Sequence, residues 1–263
     1  MSRNLKITLA YDGSEFHGWQ VQPGLPTVQG TLAECLKRLT GEDVLPQGSG
    51  RTDTGVHALA QVASVRLQSP IPERNMVVAL NDMLPPSIRV NAVEEKADGF
   101  HARHSATAKT YRYRIFRGDI CPPFLARYVH HDPYPMNEEA VMRCSEAVVG
   151  THDFTSFAAS DPDRAARMTQ EEGNSDDSRF GSISNVRRIH SSQWMRTDDE
   201  LVYTVRGDGF LHHMVRNLVG TFLLVGKGSL KIAELPSILE ARNRSAAGPT
   251  AAACGLYLVN VEY

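Results

Sequence analysis

The stretch QGSGRTDTGVHA, residues 47–58, sets one acid, Asp53, among three glycines, an arginine and two threonines, with no second acid within nine residues on either side. The phosphate-binding pattern GxxxxGK[ST] is absent, and counting from Gly48 a GxGxxG pattern would need glycine where Asp53 stands. DTG is also the tripeptide of aspartic proteases, whose chemistry needs two carboxylates sharing a proton. This chain carries a single DTG, flanked by Gly, Ser and Arg where an apolar strand would be expected. A third reading makes Asp53 a turn cap, its oxygens accepting backbone N–H bonds while the glycines supply positive φ. Arg51, two residues earlier, adds a fourth: a nearby cation keeps a carboxylate ionised even when partly buried, and an ionised carboxylate can act as a nucleophile. Residue types alone leave the cap and the nucleophile both open.

Other candidate groups are fewer. The four cysteines, Cys35, Cys121, Cys144 and Cys254, are far apart and form no CxxC pair, which points to reduced packing residues and not to zinc or disulfides. His212 and His213 are adjacent, so they lack the i, i+4 spacing of a paired metal site, and no metal is expected. The net charge of −2 conceals an uneven distribution: residues 160–177 hold six acids and two arginines, leaving the rest of the chain at +2. Residues 101–117, HARHSATAKTYRYRIFR, carry five Lys or Arg, two His and no acid, an electrostatic footprint for phosphates or else a solvated face.

The elements that must position these groups can be read from periodicity. Leu5, Ile7, Leu9 and Tyr11 alternate as a half-buried strand. Val28, Leu32, Cys35, Leu36 and Leu39 fall on one face of a helix over 28–40, capped by Thr27 and ended by Gly41. Beyond the glycine-rich stretch the pattern predicts a strand near 58–68, a helix over 75–84 stopped by Pro85 and Pro86, and a strand over 87–95. Residues 109–116 form a further strand with Tyr111, Tyr113 and Ile115 on one face and Arg112 and Arg114 on the other. The remainder predicts a helix over 137–149, strands at 186–195 and 201–206, an apolar helix from Phe210 to Leu224, a shorter helix over 232–242 and a last strand at 255–263.

The expected fold is therefore α+β, with two ferredoxin-like (RRM-like) halves, 1–105 and 106–263, sharing a central, mainly antiparallel sheet with helices on one face and a cleft between the halves. Residues 158–182 read as a long mobile insertion. A chain of 263 residues with 41% hydrophobic content can bury a sizeable core. The start, MSRNLKITLAYDG, lacks a signal-peptide layout and no apolar run approaches the roughly 20 residues that span a bilayer, so a cytoplasmic protein with no membrane contact is expected.

GSGRTDTGVHA also resembles the active-site motif of the tRNA pseudouridine synthase A family. So do AYDGSEFHGWQVQP and the following TVQGTLAE, FHARHSATAKTYRYRI, VGTHDFTSF, GDGFLHHMVRNLVGT and the closing AAGPTAAACGLYLVNVEY, in family order from residue 10 to the end. The chain departs in reading AAAC where the family usually has a proline before GLYL, and over 160–180, which aligns with nothing in it. The resemblance implies an enzyme that turns uridine into pseudouridine at nucleotides 38, 39 and 40 of the tRNA anticodon stem-loop, without a cofactor. Asp53 would be its catalytic nucleophile or base. Tyr111 would pack on uracil and take part in the proton transfer at C5, Arg51 would hold the flipped-out nucleotide's phosphate or fill its space, Arg216 would pair with the acid and Leu256 would floor the base. Arg103, Lys109, Arg112 and Arg114 would touch RNA phosphates, and family members act as homodimers. The alternative is an RNA-binding module of similar build without catalysis.

Overall fold

The structure, a computed structural model, describes residues 2–160 and 184–263. The expected insertion at 158–182 therefore falls almost wholly outside the described residues. Local chemistry explains the first helix well. In α1 (Val28–Thr40) the Thr27 side chain accepts the Gly30 N–H, Gly41 ends the helix at φ 80, and Val28, Leu32, Cys35 and Leu36 are buried on one face. Helix α2 (Glu73–Met83) starts after Pro72 and ends at Leu84, just before the proline pair.

Among the described residues ten strands make a mixed sheet, and the chain divides into two compact units. The first unit, residues 1–134, 194–208 and 252–263, holds β1 (Arg3–Tyr11), β2 (Gln47–Gly48), β3 (His57–Leu67), β4 (Ile88–Lys96), β5 (Ala108–Phe116), β6 (His130–His131), β9 (Glu200–Gly207) and β10 (Leu256–Glu262). Its strand order is β4-β1-β3-β10-β5-β9, with β2 on β3 and β6 on β5. Most pairs are antiparallel, as expected, but β10 runs parallel to β3, with Tyr257 opposite His57 and Leu258 opposite Ala58. No local signal marks that join: the C-terminal strand slots between β3 and β5. Register then fixes the faces. Leu256 lies opposite Tyr113, Tyr257 opposite Arg112 and Leu258 opposite Tyr111. Tyr111, Tyr113, Leu256 and Leu258 thus share one face and Arg112, Arg114 and Tyr257 the other. Gly255, just before β10, is required there, because a Cβ would sit 2.8 Å from the Arg114 carbonyl and the Tyr113 ring.

The second unit, residues 135–193 and 209–251, holds β7 (Gly150–Asp153) paired antiparallel with the start of β8 (Val186–Thr197). Its helices are α3 (Glu138–Cys144), α4 (Met214–Gly226) and α5 (Leu235–Ala241). Three boundaries differ from the sequence reading. The helix expected over 137–149 gives way to a 3-10 turn at Ser145–Val148, and the one over 232–242 starts as a 3-10 turn at Ile232–Glu234. Helix α4 starts four residues later than expected because His213 takes a left-handed φ of 59, which ends the preceding turn. All of α4 except Arg216 and Leu224 is buried, as an all-round apolar helix must be.

Candidate active site

The strap that carries Asp53 is fastened at nearly every residue. Strand β2 pairs with Ser64 and Ala63 of β3, and Gly48 lies so close to the Trp19 indole that a Cβ would come within 2.5 Å. The Ser49 N–H donates to the Val62 carbonyl at 2.7 Å, and its hydroxyl donates to Gln61 Oε1 at 2.7 Å. Gln61 Nε2 donates to the Gly50 carbonyl at 2.9 Å, while the Thr52 carbonyl accepts the Trp19 N–H at 3.0 Å. Thr52 Oγ1 and the Tyr11 hydroxyl are 2.7 Å apart. A turn follows in which the Asp53 carbonyl accepts the Val56 N–H at 3.1 Å, and Gly55 supplies φ 77. The glycines therefore serve two ends. Gly55 alone of the three needs a left-handed backbone; Gly48 admits Trp19, and a Cβ on Gly50 would sit 3.1 Å from Lys109 Nζ.

Asp53 is half-buried, and its charge reaches two buried phenols. The Tyr111 hydroxyl is pushed well above the usual phenol range, chiefly by burial and further by the neighbouring Tyr11 and Asp53. The Tyr11 hydroxyl is pushed up to about 12, again chiefly by burial, with Asp53 adding to the rise and the bonds to Thr52 and Gln61 opposing it. Both phenols are thus held protonated at neutral pH in the protein without substrate. Leu256 is buried on the same sheet face as Tyr111, and Asp53 acts electrostatically on Tyr111, all three within the first unit.

The remaining sequence-predicted residues divide. Arg51 is exposed and its Nε donates to Gln20 Oε1 at 3.1 Å. Lys109 Nζ donates to the Ser49 carbonyl at 2.6 Å, which ties it to the strap. Arg103 is exposed on the turn after Phe100. Arg112 and Arg114 stand on the sheet face opposite Tyr111, where they line a cavity of about 590 Å³ with Met195, Glu200 and Thr204. There Arg114 grips Glu200 through two bonds of 2.8 and 2.5 Å, which raises its pKa further. Arg216 belongs to the second unit, at the third position of α4. Its Nε donates to the Ala251 carbonyl at 2.8 Å and its own carbonyl accepts the Ala251 N–H at 3.2 Å.

In the loop after β1, Trp19 and Phe16 are buried and His17 is exposed. His57 is buried beside Tyr257, rings 4.8 Å apart, on the face away from Tyr111. Its Nδ1 accepts the Gly13 N–H at 3.1 Å, which puts the proton on Nε2 to donate to the Arg127 carbonyl at 3.1 Å. Burial lowers its pKa despite the opposing Asp12 carboxylate. Although Asp12 Oδ1 lies 3.3 Å from Nδ1, the ring is neutral with Nδ1 as acceptor, and the two do not form an ion pair. Sequence reasoning missed Tyr11, Thr52 and Gln61 as parts of the site. One signal was available: Gln61 is a long polar residue within the otherwise apolar or small run ALAQVASV.

Comparison with known proteins converges. The family model described as tRNA pseudouridine synthase matches residues 7–105 and 145–263. The tRNA pseudouridine synthase A of Solibacter usitatus (strain Ellin6076) is 51% identical over 99% of this chain and 100% of its own length. The protein named tRNA pseudouridine synthase A 1 in Desulfotalea psychrophila (strain LSv54 / DSM 12343) is 39% identical over the same shares, 99% and 100%. The tRNA pseudouridine synthase A of Moorella thermoacetica (strain ATCC 39073 / JCM 9320) is 43% identical over 98% of this chain and 99% of its own. These matches span both units.

Proposed function

Because the chain belongs to the tRNA pseudouridine synthase family, we propose that it isomerises uridine to pseudouridine at nucleotides 38, 39 and 40 of the tRNA anticodon stem-loop, with Asp53 as the catalytic group. The reaction breaks the N1–C1′ bond of uridine, forms C5–C1′, removes the proton from C5 and leaves N1 protonated. It exchanges no electrons with a second substrate and transfers no group to one, so a single carboxylate acting as nucleophile or base suffices. The observation that carries this reading is the half-buried Asp53 on a braced strap beside two protonated phenols. The target base must leave its stack at a cost of a few kcal/mol, and Tyr111 with Leu256 offers an apolar surface to receive it.

Arg103, Lys109, Arg112 and Arg114 are the proposed phosphate contacts to the RNA, Arg51 is proposed to hold the flipped-out nucleotide's phosphate or fill its space, and Arg216 to act as the partner of the catalytic acid. Arg51 and Arg103 are the more exposed of these, and Arg51, Lys109, Arg114 and Arg216 also hold protein acceptors. A homodimer acting in the cytoplasm completes the proposal; a light-scattering mass of one chain would oppose the dimer.

Incubation with unmodified tRNA transcripts followed by carbodiimide mapping should reveal pseudouridine at nucleotides 38–40 and nowhere else. Product at other uridines would overturn the assignment of position, and tRNA binding without product would favour the binding module. Tyr111→Phe should keep most of the activity while Tyr111→Ala loses about 10- to 100-fold in kcat/KM, the scale of one stacked base.

A further inference from the structure

Tyr11, Gln61, Ser49 and Thr52 form a closed polar cluster inside the first unit, with exposures of 4%, 0%, 0% and 5%. Gln61 is its hub, and its amide is fully used. Oε1 accepts the Ser49 hydroxyl at 2.7 Å and the Val62 N–H at 3.1 Å, while Nε2 donates to the Gly50 carbonyl at 2.9 Å and to the Tyr11 hydroxyl at 3.4 Å. Tyr11 passes the connection to Thr52 Oγ1 at 2.7 Å. The side chain of the residue immediately before Asp53 is therefore tied, through Tyr11 and Gln61, to strands β1 and β3.

A cluster that served stability alone could be replaced by apolar side chains at little cost. A satisfied buried polar network adds something different, a single fixed geometry. The geometry fixed here is that of the strap, whose next side chain is the carboxylate.

We infer that Tyr11, Thr52 and Gln61 are positioning residues for the reaction: the Tyr11–Thr52 hydrogen bond sets the backbone from which Asp53 reaches the nucleoside, so losing it slows the chemical step without weakening tRNA binding. The inference rests on the reading of Asp53 given above. A displacement of about 1 Å in a reacting group can cost up to 100-fold in rate, whereas the exposed surface that meets the RNA backbone is untouched by these substitutions.

Single-turnover release of tritium from tRNA carrying 5-tritiated uridine, at saturating and sub-saturating enzyme, separates the two effects. Thr52→Val keeps the shape and removes the hydroxyl; Tyr11→Phe keeps the ring and removes the other partner. Each should slow the saturated rate at least about 10-fold, with the half-saturating enzyme concentration within about twofold of wild type. Thr52→Ser, which restores the hydroxyl, should recover the rate to within about threefold. The combined Tyr11→Phe and Thr52→Val variant should be little slower than the slower single variant, because both break the same bond. Wild-type rates in folded Thr52→Val or Tyr11→Phe would overturn the inference, as would an equal loss in Thr52→Ser. Asp53→Asn run alongside keeps the two readings apart. If it is inactive while Thr52→Val is unimpaired, only the positioning role fails; if it is active, the role of Asp53 fails and the inference with it.

Discussion

Each unit has a fully buried amide side chain that makes several hydrogen bonds, and these two amides, Gln61 and Asn217, hold very different things. In the first unit Gln61 fastens a strap whose outer residues, Arg51 and Thr54, are exposed and whose Asp53 is half-buried. In the second, Asn217 on α4 donates to the Phe157 carbonyl at 2.7 Å and accepts from Arg244 Nη2 at 3.0 Å and Thr250 Oγ1 at 2.7 Å. One turn on, Thr221 accepts the Gly248 N–H at 2.9 Å. Asn217 therefore locks a buried helix to the segment at 244–250, so closely that Gly220 meets the Pro249 carbonyl where a side chain would begin. The same device gives rigidity at a surface in one case and dense backbone packing in the other. Substitutions around Asn217 should act mainly on folding, and substitutions around Gln61 mainly on rate.

The largest stability effect should come from the second unit. Gly220→Ala would drive a methyl group into the Pro249 carbonyl, and neither backbone can retreat without breaking the bonds made by Thr221 and Asn217. Overpacking of that kind should cost about 3 kcal/mol, read as a lowered urea midpoint. A midpoint unchanged from wild type would mean that the two backbones are not locked, and the contrast between the units would fail. A smaller effect belongs to the open face of the first unit. Glu200→Gln weakens the bidentate pair with Arg114, which is partly exposed, and should cost about 1 kcal/mol or less after solvent screening. The saturated rate should not change, since the pair lies on the sheet face opposite Tyr111. A slowed chemical step in that variant would show that the two faces are coupled.

The smallest effect is a pH dependence. Burial holds the folded-state pKa of His57 below its ordinary 6.5, so the unfolded chain takes up the proton first and folding stability falls as pH drops below about 6.5. The groups facing the ring are the Asp12 carboxylate, which opposes the depression, and the hydroxyls of Tyr128 and Tyr257, neutral throughout this range. His57→Gln should flatten the decline between pH 7 and pH 5.5 in urea melts. An equal decline in the variant would assign the loss to another group.

What could be read from the sequence was local. The Thr27 cap, the Gly41 stop and the proline pair after α2 are decided by residues within a turn of the boundary, and the alternation of Tyr111 with Arg112 fixed two faces before any partner strand was known. The start of α4 was misplaced because Phe210 and Leu211 continue the apolar pattern, while the left-handed His213 leaves no compositional mark. Nothing local could pair β10 in parallel with β3, join Arg114 to Glu200 across 86 residues, or bring Tyr11 to Thr52. Asp53 stands out in the sequence as a candidate from its motif; the cluster that holds its strap does not, since its members come from β1, the strap and β3.

The claim on which the rest depends is that the Asp53 side chain performs the chemistry while the protein around it holds tRNA. Asp53→Asn preserves size and removes only the charge. Its affinity for an unmodified transcript, measured by filter binding, should stay within a few-fold of wild type, and no pseudouridine should form over hours at saturating enzyme. Appreciable pseudouridine from the purified variant, free of wild-type enzyme, would contradict the account.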